Sequence, residues 1–148
     1  MKIANINTKS NYSLLKSTLK TDIIIYKAVQ NNQTHVFLAD NNLYCSIEFI
    51  KLAKKNNLIP IVGLEIIYKE QSILMFPKSE NGYKNIIKIS SYTLQNSIYD
   101  LNDFVEDVIF FCDEKLNFTL KSSEIYENYN QNLAINKANY AERKDNEV

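Results

Sequence analysis

VFLADNNLYCSIEFIKLAKKNNLIPIVGLE, residues Val36–Glu65, shows the plan of the chain. Val36–Ala39 is a short apolar run that stops at Asp40-Asn41-Asn42, after which Ile47, Ile50, Leu52 and Ala53 recur at roughly helical spacing. Ile59–Val62 is apolar again and Gly63 ends it. Strand, loop, helix and strand within about thirty residues make a βαβ unit, with two parallel strands and a right-handed crossover. In such units chemistry sits at the carboxyl ends of the strands. Here those ends carry Asp40, Asn41 and Glu65.

Outward from this unit the pattern continues. Ile3–Ile6 reads as a first strand and Asn7–Asn11 as a polar loop closed by Tyr12-Ser13-Leu14-Leu15. A helix runs from an N-cap at Asp22 through Ile23, Ile24, Tyr26, Ala28 and Val29 to Asn31-Asn32. Ile66–Lys69 and Ile73–Phe76 flank Glu70-Gln71 as a hairpin, and Ser79-Glu80-Asn81 opens a helix carrying Ile86, Ile87 and Ile89. Val108–Phe111 is a core strand and Leu133–Ile135 a last short one, while Asn117–Asn132 is polar and expected to pack loosely. This order predicts an α/β fold with a mostly parallel sheet. A complete eight-fold barrel takes about 200 residues or more, so 148 residues predict a partial or distorted β/α barrel in one domain, 1–148.

Composition narrows the function. Seventeen basic and seventeen acidic residues leave no net field to draw the chain onto nucleic acid or an anionic membrane. Cys45 and Cys112 show neither disulfide nor metal spacing and read as reduced core thiols. There is no apolar run of signal-peptide or membrane-spanning length, so a soluble, cytoplasmic protein with no membrane partner is expected. With only two glycines, left-handed turns must be made by Asn.

Taken together, NINTKSNYSLLKS (Asn5–Ser17), LADNNLYCSIEFIKLAKK (Leu38–Lys55), IPIVGLE (Ile59–Glu65), NGYKNIIKISS (Asn81–Ser91) and NKANYAERKDNEV (Asn136–Val148) carry a resemblance. The chain resembles the PHP (polymerase and histidinol phosphatase) domain at the amino terminus of the bacterial DNA polymerase III α subunit. The Tyr-Ser-Leu-Leu, Pro-Ile-x-Gly and Gly-Tyr-x-Asn-x-x-Lys-x-x-Ser signatures are specific in combination. The resemblance implies a PHP-type barrel and, in active members, a cage of histidines and carboxylates at the strand ends that holds metals for phosphoester hydrolysis.

Residue by residue, that cage is depleted. The family's His-x-His is Asn5-Ile6-Asn7, and the histidine after it is Lys9. Thr-Asp-His is matched by Ala39-Asp40-Asn41, Gly-x-Glu survives as Gly63-Leu64-Glu65, and Asn-Asp-x-His-Tyr reads Asn136-Lys137-Ala138-Asn139-Tyr140. Amide oxygens are weak, neutral, hard ligands, whereas zinc, manganese and iron are held by imidazole. Asn5, Asn7, Lys9, Asp40, Asn41, Glu65, Lys137 and Asn139 are therefore expected to mark a vestigial site with no metal, no cofactor and no catalytic residue. The alternative is a metal-dependent phosphoesterase or 3'-5' exonuclease with a reduced ligand set, using Asp40 and Glu65 with nonstandard ligands; as a metal-free pair the two carboxylates read as salt-bridged remnants at a strand-end cleft rather than as general acid and base.

The resemblance further implies a degenerate, structural module of a replicative polymerase. The parent family is a DNA-directed DNA polymerase, a nucleotidyltransferase, whose core is absent from this sequence. Expected partners are the remaining α-subunit regions or other replisome subunits, with DNA touched only indirectly. His35, the sole histidine, matches no ligand position and reads as a loop or strand-edge residue. Lys51, Lys54 and Lys55 form a basic helical face that is expected to be solvated and to complement the helix dipole, against a DNA-phosphate reading. Tyr83 and Tyr92 with Lys84 and Lys88 are expected to pack, against a base-stacking stripe.

Overall fold

A computed structural model describes residues 20–127 of the 148. The expected strand Ile3–Ile6, the loop Asn7–Asn11 and the expected strand Leu133–Ile135 lie outside the described residues. The described chain divides into two compact units, one holding 20–40 and Tyr44–Val62, the other Asn41–Leu43 and 63–127.

In the first unit, helix α1 (Thr21–Gln30) packs on helix α2 (Ser46–Lys55), and both contact strand β1 (His35–Asp40). Ile24, Ile25 and Ala28 on α1 meet the apolar demand of Phe49 and Ala53 on α2, with Val36 and Leu38 of β1 also buried. The buried stripe of α2 is Ser46, Phe49 and Ala53, while Ile47 is 67% exposed. That corrects the expectation of Ile47 on the core face, because Phe49 fills the i, i+4 pair with Ala53. Likewise Asp22 lies in the first turn of α1, its carboxylate accepting from the Ile23 amide at 2.9 Å, and Lys20 holds the N-cap position. The expected unit of strand, helix and strand is present as β1, α2 and β2 (Ile59–Tyr68).

In the second unit, β2 continues through Gly63 without a break and returns as β3 (Gln71–Pro77). The register sets Leu64 opposite Met75 and Tyr68 opposite Gln71, so the hairpin turn is Lys69-Glu70, one residue earlier than the sequence reading placed it. Both turn residues have positive φ, 48° and 66°, the geometry a two-residue hairpin needs even without Asn or Gly. β3 pairs antiparallel with β4 (Val108–Cys112), and β4 pairs parallel with β5 (Ile125–Glu127). The strands form an open, mixed sheet in an α/β fold. Helix α3 (Glu80–Leu94) starts at Ser79, whose hydroxyl accepts from the Gly82 amide at 3.2 Å. Ile86 and Ile89 of α3 join Leu64, Ile66, Ile73, Met75, Val108 and Phe110 in one buried cluster.

Among the described residues, the three α-helices end in the same way. The residue just past each C-cap is an Asn with φ between 52° and 59°: Asn32, Asn57 and Asn96. After α1 the Gln33 amide bonds the Ala28 carbonyl, after α2 Leu58 bonds Ala53, and after α3 Ser97 bonds Tyr92. Each is a Schellman closure in which Asn occupies the left-handed position that glycine usually fills. Glycine lacks the Cβ that makes this region costly. Asn57→Gly and Asn96→Gly are therefore each expected to add about 0.5 kcal/mol, read as a higher urea midpoint at unchanged slope. A lower midpoint would contradict the closure.

Candidate functional site

Of the eight candidate positions, Asn5, Asn7, Lys9, Lys137 and Asn139 lie outside the described residues. The other three are placed by the strands. Asp40 is the last residue of β1 in the first unit and only 1% exposed; its carboxylate accepts a hydrogen bond from the Cys45 thiol, Sγ to Oδ2 3.7 Å. Burying a carboxylate is costly without hydrogen bonds or opposite charge, so this position is a built one.

Asn41 and Glu65 belong to the second unit. Asn41 Oδ1 accepts from Asn42 Nδ2 at 2.9 Å. Glu65 is 8% exposed and sits opposite Leu74 in the β2–β3 ladder. Its neighbours Leu64 and Ile66 point into the buried cluster, so strand alternation turns Glu65 to the other sheet face. Along that row the register continues from Leu74 to Phe111 and from Phe111 to Tyr126, and the rings of Phe111 and Tyr126 stack at 5.2 Å. The sequence reading missed this aromatic row, because β5 is only three residues long and Tyr126 alternates with no long apolar run.

The remaining motif residues have structural work. Gly63 of Gly-x-Glu lies against β3: a Cβ built there would stand 2.3 Å from the Met75 carbonyl oxygen. Gly82 of the Gly-Tyr-x-Asn signature lies against the Asp107 turn, where a Cβ would stand 1.9 Å from the Asp107 carbonyl oxygen. Asn85 of the same signature donates from Nδ2 to the Glu106 carbonyl at 3.0 Å, and Ser79 Oγ donates to Asp107 Oδ2 at 2.8 Å. These signature residues clamp the start of α3 onto the turn before β4.

The PHP domain family profile matches residues 5–141. The chain belongs to the PHP domain family. It is 38% identical over 146 residues to DNA polymerase III subunit alpha of Ureaplasma parvum serovar 3, covering 95% of this chain and 15% of that protein. Against the same-named subunits of Rickettsia felis and Mycoplasma genitalium the identities are 36% and 31%, each over 113 residues, covering 71% and 73% of this PHP chain. The chain spans 15%, 9% and 13% of the length of these three relatives. A solved structure from Bifidobacterium adolescentis, named as a proposed metal-dependent phosphoesterase, aligns at a TM-score of 0.49 and 19% identity, covering 61% of this chain and 32% of that one.

The donor set does not fit the metals of an active PHP site. Across the eight positions the side chains are four amides, two lysines and two carboxylates, with no imidazole. Ammonium groups cannot ligate and amides hold divalent cations weakly, so the set lacks the ligands that lower the pKa of a bound water. Among the described residues, no three His, Cys, Asp or Glu side chains come together in a metal-ligating group.

His35 is exposed at the start of β1, with Nδ1 2.9 Å from the Thr34 hydroxyl. Lys54 and Lys55 occupy the last turn of α2, where positive charge complements the helix dipole, and Lys51 is exposed beside them. Tyr92 is engaged with the rings of Tyr99 and Phe104, Lys84 pairs with Glu80 at 3.5 Å, and Lys88 is exposed. Both cysteines are buried free thiols, as expected. Burial pushes the Cys112 thiol up to about 12, with the charges of Glu127 and Asp113 adding to it. No described helix is long and apolar enough to cross a membrane.

Proposed function

We propose that this chain is a structural PHP module of a bacterial DNA polymerase III α subunit, or derived from one, and that it serves DNA replication without hydrolysing phosphoesters itself. The observation that carries this reading is the replacement of every imidazole position of the family's site by Asn or Lys, while the buried framework around Gly63 and Gly82 is kept. The module's partners are then the remaining regions of a polymerase α subunit or other replisome subunits in the cytoplasm, with DNA contacted through them. Packing the chain as one domain, 1–148, against such a body is part of the same proposal.

Two measurements test it. Protein purified without chelator is expected to carry no stoichiometric zinc, manganese or iron by mass spectrometry, and to show no phosphodiester hydrolysis with added manganese or zinc. Bound metal with turnover that Asp40→Ala or Glu65→Ala abolishes would overturn the proposal. The quadruple variant Asn5→His, Asn7→His, Asn41→His, Asn139→His is expected to gain transition-metal affinity, read as metal retained through gel filtration. A folded quadruple variant that binds none would show that these positions do not converge.

A further inference from the structure

Parallel neighbours need a crossover, and the crossover is usually a helix. β4 and β5 run parallel, yet the connection between them, residues 113–124, contains no helix. It is an extended segment laid over the buried cluster. Leu116 and Phe118 pack against that cluster and Leu120 is part of it, together with Ile73, Leu101 and Cys112. Phe118 meets the Tyr68 ring edge-on at 5.2 Å.

Between 115 and 121 the backbone of this segment is held by side chains, while at its end the Glu124 carbonyl accepts from the Phe110 amide of β4 at 3.1 Å and the Glu124 carboxylate pairs with Lys78. Gln71 Nε2 donates to the Lys115 carbonyl at 2.9 Å, and its Oε1 accepts from the Asn117 amide at 2.8 Å. Asn102 does the same four residues on: Nδ2 donates to the Thr119 carbonyl at 3.0 Å, and Oδ1 accepts from the Lys121 amide at 2.7 Å. Each primary amide thus takes a carbonyl at one position and an amide two positions later, the pattern that a residue of a parallel strand presents. A third hold is the Leu116 amide on Glu127 Oε2 at 2.7 Å. All four amide bonds are solvent-exposed. A covering segment with few buried side chains and exposed hydrogen bonds belongs to the part of a protein that opens first.

We infer that residues 113–124 form a strap, latched by Gln71 and Asn102, that opens as a unit while β2, β3 and β4 stay paired, baring the apolar face that includes Cys112. Within 117–127, the described part of the polar stretch Asn117–Asn132, Leu120 is buried, Phe118 is half-buried, and two side-chain amides hold the backbone. The sequence composition showed only its polarity. A shallow recess of about 150 Å³ bounded by Glu70, Gln71, Ser72, Asp113 and Glu114 reaches Cys112 at the margin of the strap. Cys112, 1% exposed within the cluster that the strap covers, reports opening, and Cys45, buried in the first unit, reports unfolding there.

The test is alkylation of the full chain by N-ethylmaleimide under native conditions, with each cysteine followed by peptide mass spectrometry. Asn102→Ala and Gln71→Ala are each expected to speed Cys112 labelling about tenfold while Cys45 labelling is unchanged, since each removes both bonds of one latch. In the wild-type chain, Cys112 labelling is expected to depend less steeply on urea than Cys45 labelling, which keeps the inference testable if a variant fails to fold. Equal acceleration of both cysteines, no acceleration of Cys112 in either variant, or equal urea dependence in the wild type would overturn it.

Discussion

Gly82→Ala is expected to destabilise the chain by about 3 kcal/mol, against the sign that helix propensity gives. In an open helix interior, alanine is better than glycine by about 1 kcal/mol, so a solvent-facing Gly82 would make this substitution stabilising. Here the new Cβ stands 1.9 Å from the Asp107 carbonyl oxygen. That oxygen cannot simply retreat, because it accepts the Lys78 amide at 2.8 Å, and Asp107 is itself in the left-handed region at φ 57°. Overpacking against fixed backbone costs about 1–3 kcal/mol, and loss of the Lys78 bond and the Asn85 and Ser79 contacts adds to it. For a chain of this size the loss corresponds to a Tm lower by about 10 °C. Thermal unfolding of Gly82→Ala beside Lys84→Ala, on the exposed side of α3, is the measurement. Lys84→Ala is expected to change stability by no more than about 0.5 kcal/mol. A Gly82→Ala chain as stable as wild type would mean that α3 does not approach the Asp107 turn.

Gly63→Ala is expected to cost a similar amount, about 3 kcal/mol, for a different reason. Its Cβ would meet the Met75 carbonyl oxygen at 2.3 Å and the Phe76 ring at 2.6 Å. Relief requires moving β3 away from β2, which strains the pairs Leu64 to Met75 and Glu65 to Leu74. Phe76 also makes an edge-on contact with Phe111, ring centroids 6.0 Å apart, which restricts how the ring can turn. Urea denaturation with amide exchange at Leu64 and Met75 checks this. The predicted signature is a lower midpoint with exchange quickened first in the β2–β3 ladder. Unchanged stability would return Gly63 to the status of an ordinary strand residue and leave the Gly-x-Glu motif without a packing role.

These two glycines show how far the sequence could be read. Their motifs were visible in the bare sequence, but motif and role are separate matters. Gly63 reads as the end of a strand, since glycine usually punctuates; the strand in fact runs straight through, because only glycine lets β3 come so close. The hairpin was legible from two apolar runs, yet its turn shifted onto Lys69-Glu70, since pattern alone does not fix register. The scarcity of glycine pointed to Asn in the left-handed turns; among the described residues Asn32, Asn57 and Asn96 fill the helix ends, while Lys69, Glu70 and Asp107 take the other left-handed positions. β5 and the strap were not legible, because Ile125-Tyr126-Glu127 is too short for periodicity and the strap's partners, Gln71 and Asn102, are distant in sequence.

By itself, then, the sequence determined the family and the order of the main helices and strands. Those follow from residue identity: apolar spacing sets the elements, and motifs read in combination set the family. The tertiary structure alone decided which faces are buried, why each glycine is required, and what holds residues 113–124 in place. Those depend on contacts between residues far apart in the chain, where a few tenths of an ångström of backbone approach separate a permitted side chain from a forbidden one.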